Sequence, residues 1–186
     1  MTDLQGIPMT ENGVNRRDML GLLAGIAPML LAGTAPALIS GKAEASPINT
    51  SQTIYTLPDD LKFVPMSDAP PRSIENAYLY GNANQPGIYY TLTRWYPGYM
   101  SAPHSYATDR LCVVLSGTWW INSGSDFDPE HTVPVPAGTF VRRVARTWHY
   151  DGVRRGAKEP VVIAICGTGP LDFQLFDPGK PHVRAV

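Results

Sequence analysis

The chain has 186 residues, enough for one domain of ordinary size once any targeting segment is set aside. A formal net charge of -1 argues against nucleic acid or an anionic membrane as partner. Two cysteines are too few for a disulfide-built scaffold, and 18 Pro with 17 Gly favour turns and short strands over long helices.

The N-terminal stretch has the layout of an export signal. Arg16-Arg17-Asp18-Met19-Leu20 is followed by an uncharged, Gly-, Ala- and Leu-rich segment from Met19 to Ser40. Lys42 comes next, then Ala43-Glu44-Ala45, a small-x-small cleavage pattern. The paired arginines resemble a twin-arginine signal. Pro28 and Pro36 argue against an uncleaved spanning helix, since Pro costs about 3 kcal/mol in a helix interior. The expected organisation is a signal peptide over 1–45 and one domain over 46–186, periplasmic or secreted, with no membrane anchor after cleavage. Cys112 and Cys166 lie in apolar runs and read as buried small hydrophobes rather than a disulfide.

From Ser46 the pattern is strand and turn. Ser46 to Asp60 reads as an exposed lead-in and Leu61 to Val64 as a short strand stopped by Pro65. Ala77 to Tyr80 and Ile88 to Tyr96 are strands, the second rich in Tyr, Thr and Trp. Leu111 to Leu115 reads as a buried strand, joined to Thr118–Asn122 by Ser116-Gly117 as a hairpin. Thr132 to Val135 and Thr139 to Val144 flank the turn Pro136-Ala137-Gly138. A short strand over Trp148-His149-Tyr150 ends at Asp151-Gly152, and Arg154 to Glu159 reads as a charged hairpin loop. Val161 to Cys166 is apolar throughout, Leu171 to Leu175 alternates as a half-buried strand does, and the tail from Asp177 is extended. About ten short strands with no helical period mean an all-β sandwich or small barrel.

The chemistry gathers between Gly98 and Gly117, where His104, Tyr106, Asp109 and Arg110 lead into an apolar strand. His104 and Tyr106 are two apart, so in extended chain both point to one face. His149 sits on a later strand. An i, i+2 pair with one histidine from another strand is a way for a β-barrel to build a metal site with open positions.

This frame resembles the first motif of the cupin superfamily: Gly, five residues, His-x-His, three or four residues, Glu, six residues, Gly. Gly98, His104 and Gly117 fall in register, Tyr106 stands at the second His and Arg110 at the Glu. The family's second motif is echoed in Val144 to His149, which keeps its His and lacks its Pro and Gly. The resemblance spans roughly Leu61 to Gly167. It implies a double-stranded β-helix, or jelly-roll barrel, and a divalent metal (Fe, Mn, Zn or Ni) on His104 and His149. A homodimer is common in such proteins, and tryptophan-rich strands would suit one.

The residues themselves leave a metal-free site open. His104 and His149 could serve as acid and base near neutral pH. Tyr106 could donate a proton. Arg110, Arg94 or Arg143 could clamp a carboxylate or enolate. Trp119 is a candidate pocket wall. Asp109-Arg110 could be an ion pair closing the barrel mouth. The expected function is an exported enzyme of lyase, isomerase or dehydratase type, using His104, Tyr106, His149 and Arg110 on a small molecule. The alternatives are a non-catalytic periplasmic ligand-binding protein and, lower in order, a metal-dependent dioxygenase, which needs three strong ligands where two are legible.

Overall fold

Turn signals every few residues cut the apolar pattern into short lengths, and the computed structural model, which describes Ile48, Asn49 and residues 51–186, is built accordingly. The chain divides into two units after Ile48, and the described strands all belong to the second, Asn49–Val186. The expected export signal over 1–45 lies outside the described residues. The strands are β1 (Val64–Pro65), β2 (Ile74–Tyr80), β3 (Gly87–Trp95), β4 (Tyr99–Ser101), β5 (His104–Ser105), β6 (Arg110–Ser116), β7 (Thr118–Ser123), β8 (Val133–Pro136), β9 (Phe140–Arg143), β10 (His149–Val153), β11 (Val161–Gly169), β12 (Gln174–Leu175) and β13 (Val183–Ala185).

The strands form two antiparallel sheets facing each other, the double-stranded β-helix expected from the sequence. One sheet runs β1-β2-β3-β11-β6-β9. The other is centred on β10, with β4 and β5 along one edge and β7, then β8, along the opposite edge; β13 and β12 flank β4 and β5. Tyr89 and Trp95 of β3, Cys112 and Val114 of β6, Ile163 and Ile165 of β11 and Trp119 of β7 fill the space between the sheets. Outside the first sheet, Ala77, Leu92 and Ala164 are covered by Leu61 and Phe63.

Several expected elements differ, each for a local reason. The strand expected at Leu61–Val64 is shorter and shifted to Val64–Pro65; Pro65 is tolerated because β1 is an edge strand whose missing N–H has no ladder partner to lose. Leu171–Leu175 keeps only Gln174–Leu175 as strand, since Asp172 takes a positive φ of 43°. Leu111–Leu115 is not buried throughout: Cys112 and Val114 point inward while Leu111, Val113 and Leu115 stand on the outer face.

Most telling is the Ser116-Gly117 turn. It does not close a hairpin. β6 pairs with β11 and β9, whereas β7 pairs with β10 and β8. Gly117, with φ 70°, turns the chain from one sheet into the other, and a Cβ there would strike the Pro160 carbonyl. Arg154–Glu159 likewise crosses between sheets instead of joining paired strands. Both cysteines are free, as expected. In the β6–β11 ladder Cys112 opposes Ile165 and Cys166 opposes Leu111, so their side chains lie on opposite faces.

Candidate active site

The site is a consequence of register. His149 on β10 pairs directly with His104 on β5, which puts the two imidazoles side by side on one face, ring centroids 4.4 Å apart. Two residues further along β10, Asp151 points to the same face; two residues beyond His104, so does Tyr106. The Tyr106 ring lies 5.0 Å from His104 and 5.7 Å from His149. Phe173, brought alongside by β12, stands 5.1 Å from His104.

Each histidine is anchored by its own strand. His104 Nδ1–H donates to the Ala102 carbonyl at 2.8 Å, and His149 Nδ1–H donates to the Thr147 carbonyl at 3.0 Å. A carbonyl only accepts, so the proton sits on Nδ1 and each Nε2 keeps its lone pair. The His149 Nε2 is buried with no hydrogen-bond partner. Burial pushes the His104 pKa down to about 4, against the opposing pull of Asp151. Burial, then the neighbouring His104, pushes His149 down to about 3. The expected acid–base pair near neutral pH is therefore not what burial produces: both rings are neutral there. Tyr106 is pushed up to about 12 by burial, with Arg110 opposing, and keeps its phenolic proton.

Asp151 is the site residue that the sequence reading missed. Its carboxylate accepts from Trp119 Nε1 at 3.0 Å and from Arg143 Nη2 at 3.0 Å. Burial alone would push its pKa up; Arg143 above all holds it below the usual carboxylate range. The signal was present. Asp151 stands i+2 from His149, the spacing that linked Tyr106 to His104. Taking Asp151-Gly152 as the end of the strand hid it, whereas β10 continues to Val153.

These groups, His149 apart, line a cavity of about 510 Å³ between the sheets. His104, Tyr106, Arg110, Trp119 and Arg143, all expected at the site, line it together. His149 joins the group through its ring contacts with His104 and Tyr106. Arg94 does not line it. It alternates with the inward Thr93 and Trp95 of β3, so its guanidinium is on the outer face, paired with Glu75 at 3.0 Å and stacked over Phe63. The Asp109–Arg110 ion pair is also not formed. Neighbouring residues of an extended chain diverge, and Asp109 instead binds Arg142 and the Ala145 N–H on the outside.

Ligand atoms of His104, His149 and Asp151 lie within 4.8 Å of one another, all three buried. The set suits a divalent cation. Two imidazoles present lone pairs, one of them otherwise orphaned, and each Asp151 oxygen retains a lone pair beyond its hydrogen bond.

Comparison with known proteins supports the architecture. A cupin-2 domain protein from Rhodospirillum rubrum superposes with a TM-score of 0.50, at 19% identity over 68% of this chain and 82% of its own. The polyketide cyclase RemF from Streptomyces resistomycificus superposes with a TM-score of 0.52, at 14% identity over 72% of this chain and 85% of its own. At such identities the likeness establishes the fold. No protein-family model matches the chain, and no curated protein matches its sequence.

Proposed function

We propose that the chain is an enzyme of lyase, isomerase or dehydratase type, with a divalent metal held by His104, His149 and Asp151 at the wall of the ligand cavity. The carrying observation is the convergence of two neutral, Nδ1-anchored imidazoles and a buried carboxylate, two of the three, His104 and Asp151, lining a 510 Å³ cavity. When bound, such a metal supplies Lewis-acid polarisation of a substrate oxygen. Tyr106 holds a proton beside both imidazoles and is the group placed to deliver it to substrate. Trp119 and Arg143 fix the Asp151 carboxylate, and the aromatic walls restrict water around the reacting atoms. RemF, a polyketide cyclase, is an enzyme on this fold, in keeping with an enzymatic reading.

A second reading is favoured by one observation. Asp151 supplies the third strong ligand that dioxygenase chemistry requires, and a two-histidine, one-carboxylate set with open positions suits non-haem iron. Oxygen consumption by iron-loaded protein on added substrate separates it from the first reading, which needs none.

We also propose that residues 1–45 direct export by a twin-arginine route and that the domain works in the periplasm or outside the cell. Support comes from Arg16-Arg17 and the Ala43-Glu44-Ala45 exit. Fractionation after replacing both arginines by lysine tests it.

For the central proposal, the test is elemental analysis of protein taken from its native compartment, with His104→Ala and His149→Ala beside it. The expected outcome is about one equivalent of metal in the native protein. Each variant stays folded and loses more than the about 10–100-fold in metal affinity that an outer-shell change costs. Metal-free protein that turns over unimpaired would overturn the metal site.

A further inference from the structure

Three charged side chains line the cavity: Arg110, Arg143 and Asp151. Arg143 and Asp151 neutralise each other at 3.0 Å. Arg110 is left over. Among the described residues it forms no ion pair, and its buried Nε has no hydrogen-bond partner. The Tyr89 hydroxyl, also lining the cavity, is buried without a partner as well. A guanidinium stays charged in a protein, and an uncompensated buried charge is unfavourable unless something pairs with it. Among the described residues its neighbours are the Tyr106 ring, 4.2 Å below its Cζ, and the Tyr89 hydroxyl, which feels its charge, and neither carries a compensating negative charge. The ring contact occupies one face of the guanidinium, and its in-plane Nε–H has no partner among the described residues.

We propose that Arg110 is the specificity residue for a small carboxylic acid whose carboxylate it binds in bidentate fashion, with the acid's apolar body against Phe173 and Trp119. This rests on the ligand-cavity reading above and deepens it by naming the substrate class. Bidentate pairing with a carboxylate is the geometry a guanidinium is made for, and it satisfies the orphaned donor. The Tyr89 hydroxyl is a second donor for the same anion. The position also has chemical sense. The Tyr106 ring contacts Arg110 and both imidazoles, so an acid seated on Arg110 lies beside the phenol and close to His104 and His149. Of the three arginines that the sequence offers as clamps, Arg94 is outside and Arg143 is engaged, which leaves one.

The experiment is calorimetric titration of full-length protein with 3-phenylpropanoate and with its neutral amide, 3-phenylpropanamide, for wild type, Arg110→Met and Arg110→Lys. Wild type is expected to bind the acid at least about tenfold more tightly than the amide, as loss of a charge-assisted pair implies. Arg110→Met abolishes the preference and Arg110→Lys retains part of it. Ligand-free Arg110→Met melts close to wild type, because the contacts it loses, with the Tyr106 ring and the Tyr89 hydroxyl, are offset by removing a charge with no ion-pair partner; a purely structural arginine would give a clearly lower melting temperature. Equal affinity for acid and amide in wild type, a preference that survives in Arg110→Met, or no binding of the acid overturns the assignment. Metal content of the same samples keeps the two readings apart. Protein without metal that still prefers the acid leaves Arg110 standing whatever becomes of the metal site, while metal-loaded protein indifferent to the acid overturns Arg110 and leaves the metal site standing.

Discussion

Arg142 and Arg143 are neighbours on β9, and each has an aspartate. Arg142 bonds Asp109 on the outer face, its side chain about half exposed; Arg143 bonds Asp151 inside, where both side chains are almost fully buried. The chemistry is the same and the consequences differ. Outside, water and salt screen the pair and either partner can be rehydrated if the other is lost. Inside, the carboxylate is held between a guanidinium and an indole N–H, and it faces two imidazoles, of which His149 has an Nε2 that is buried without a hydrogen-bond partner among the described residues. One step along a strand thus separates an ordinary surface contact from the centre of the site.

The largest effect is expected from breaking the inner pair. Asp151→Ala leaves Arg143 buried and uncompensated, and urea unfolding should show a loss of about 3–5 kcal/mol. Adding Arg143→Met to that variant removes the stranded charge and should recover much of the stability. It should not recover bound metal, because the ligand is still missing; recovery of both would mean that Asp151 serves the fold alone.

The next effect comes from acid. His104 and His149 titrate at about 4 and about 3 in the folded chain, against an ordinary value of 6.5. Between those values the unfolded chain holds more protons than the folded one, so stability is fully present above pH 6.5 and falls as the pH drops. In metal-stripped protein the slope is at most about 1.4 kcal/mol per pH unit per histidine. Asp151, Arg143 and Arg110 face the same pair; the carboxylate resists the shift and the two cations reinforce it. His149→Gln should remove a large part of the dependence, measured as urea midpoints from pH 7 to pH 4. A flat profile in wild type would contradict the buried, neutral pair.

The smallest effects belong to the outer face. Asp109→Asn and Arg94→Gln should leave metal content and carboxylate binding at wild-type levels, with melting temperatures barely moved. A loss of ligand affinity in Arg94→Gln would place that guanidinium in the cavity after all.

Much of the site was legible in advance because a strand's alternation is a local property. His104 and Tyr106 share a face whatever surrounds them, and the spacing from Gly98 to Gly117 framed them. The same rule, carried two residues past His149, reaches Asp151; stopping the strand early lost it. The jelly-roll fold was legible too, since turn residues and β-branched or aromatic runs declare themselves over a few positions. What no local rule could say is which neighbour each strand would take. Ser116-Gly117 looks the same as a hairpin turn and as a corner between sheets, and only the pairing of β6 with β11 and of β7 with β10 separates them.

Sequence alone therefore determined the strand content and the shared face of His104 and Tyr106, because these rest on residue type and a spacing of two. Tertiary structure alone decided that His149 would pair with His104, that Arg143 would turn inward and Arg94 outward, and that Arg110 would be left without an ion-pair partner among the described residues. Parity along a strand says which side chains go together. Only the closing of two sheets around a cavity says which side is inside.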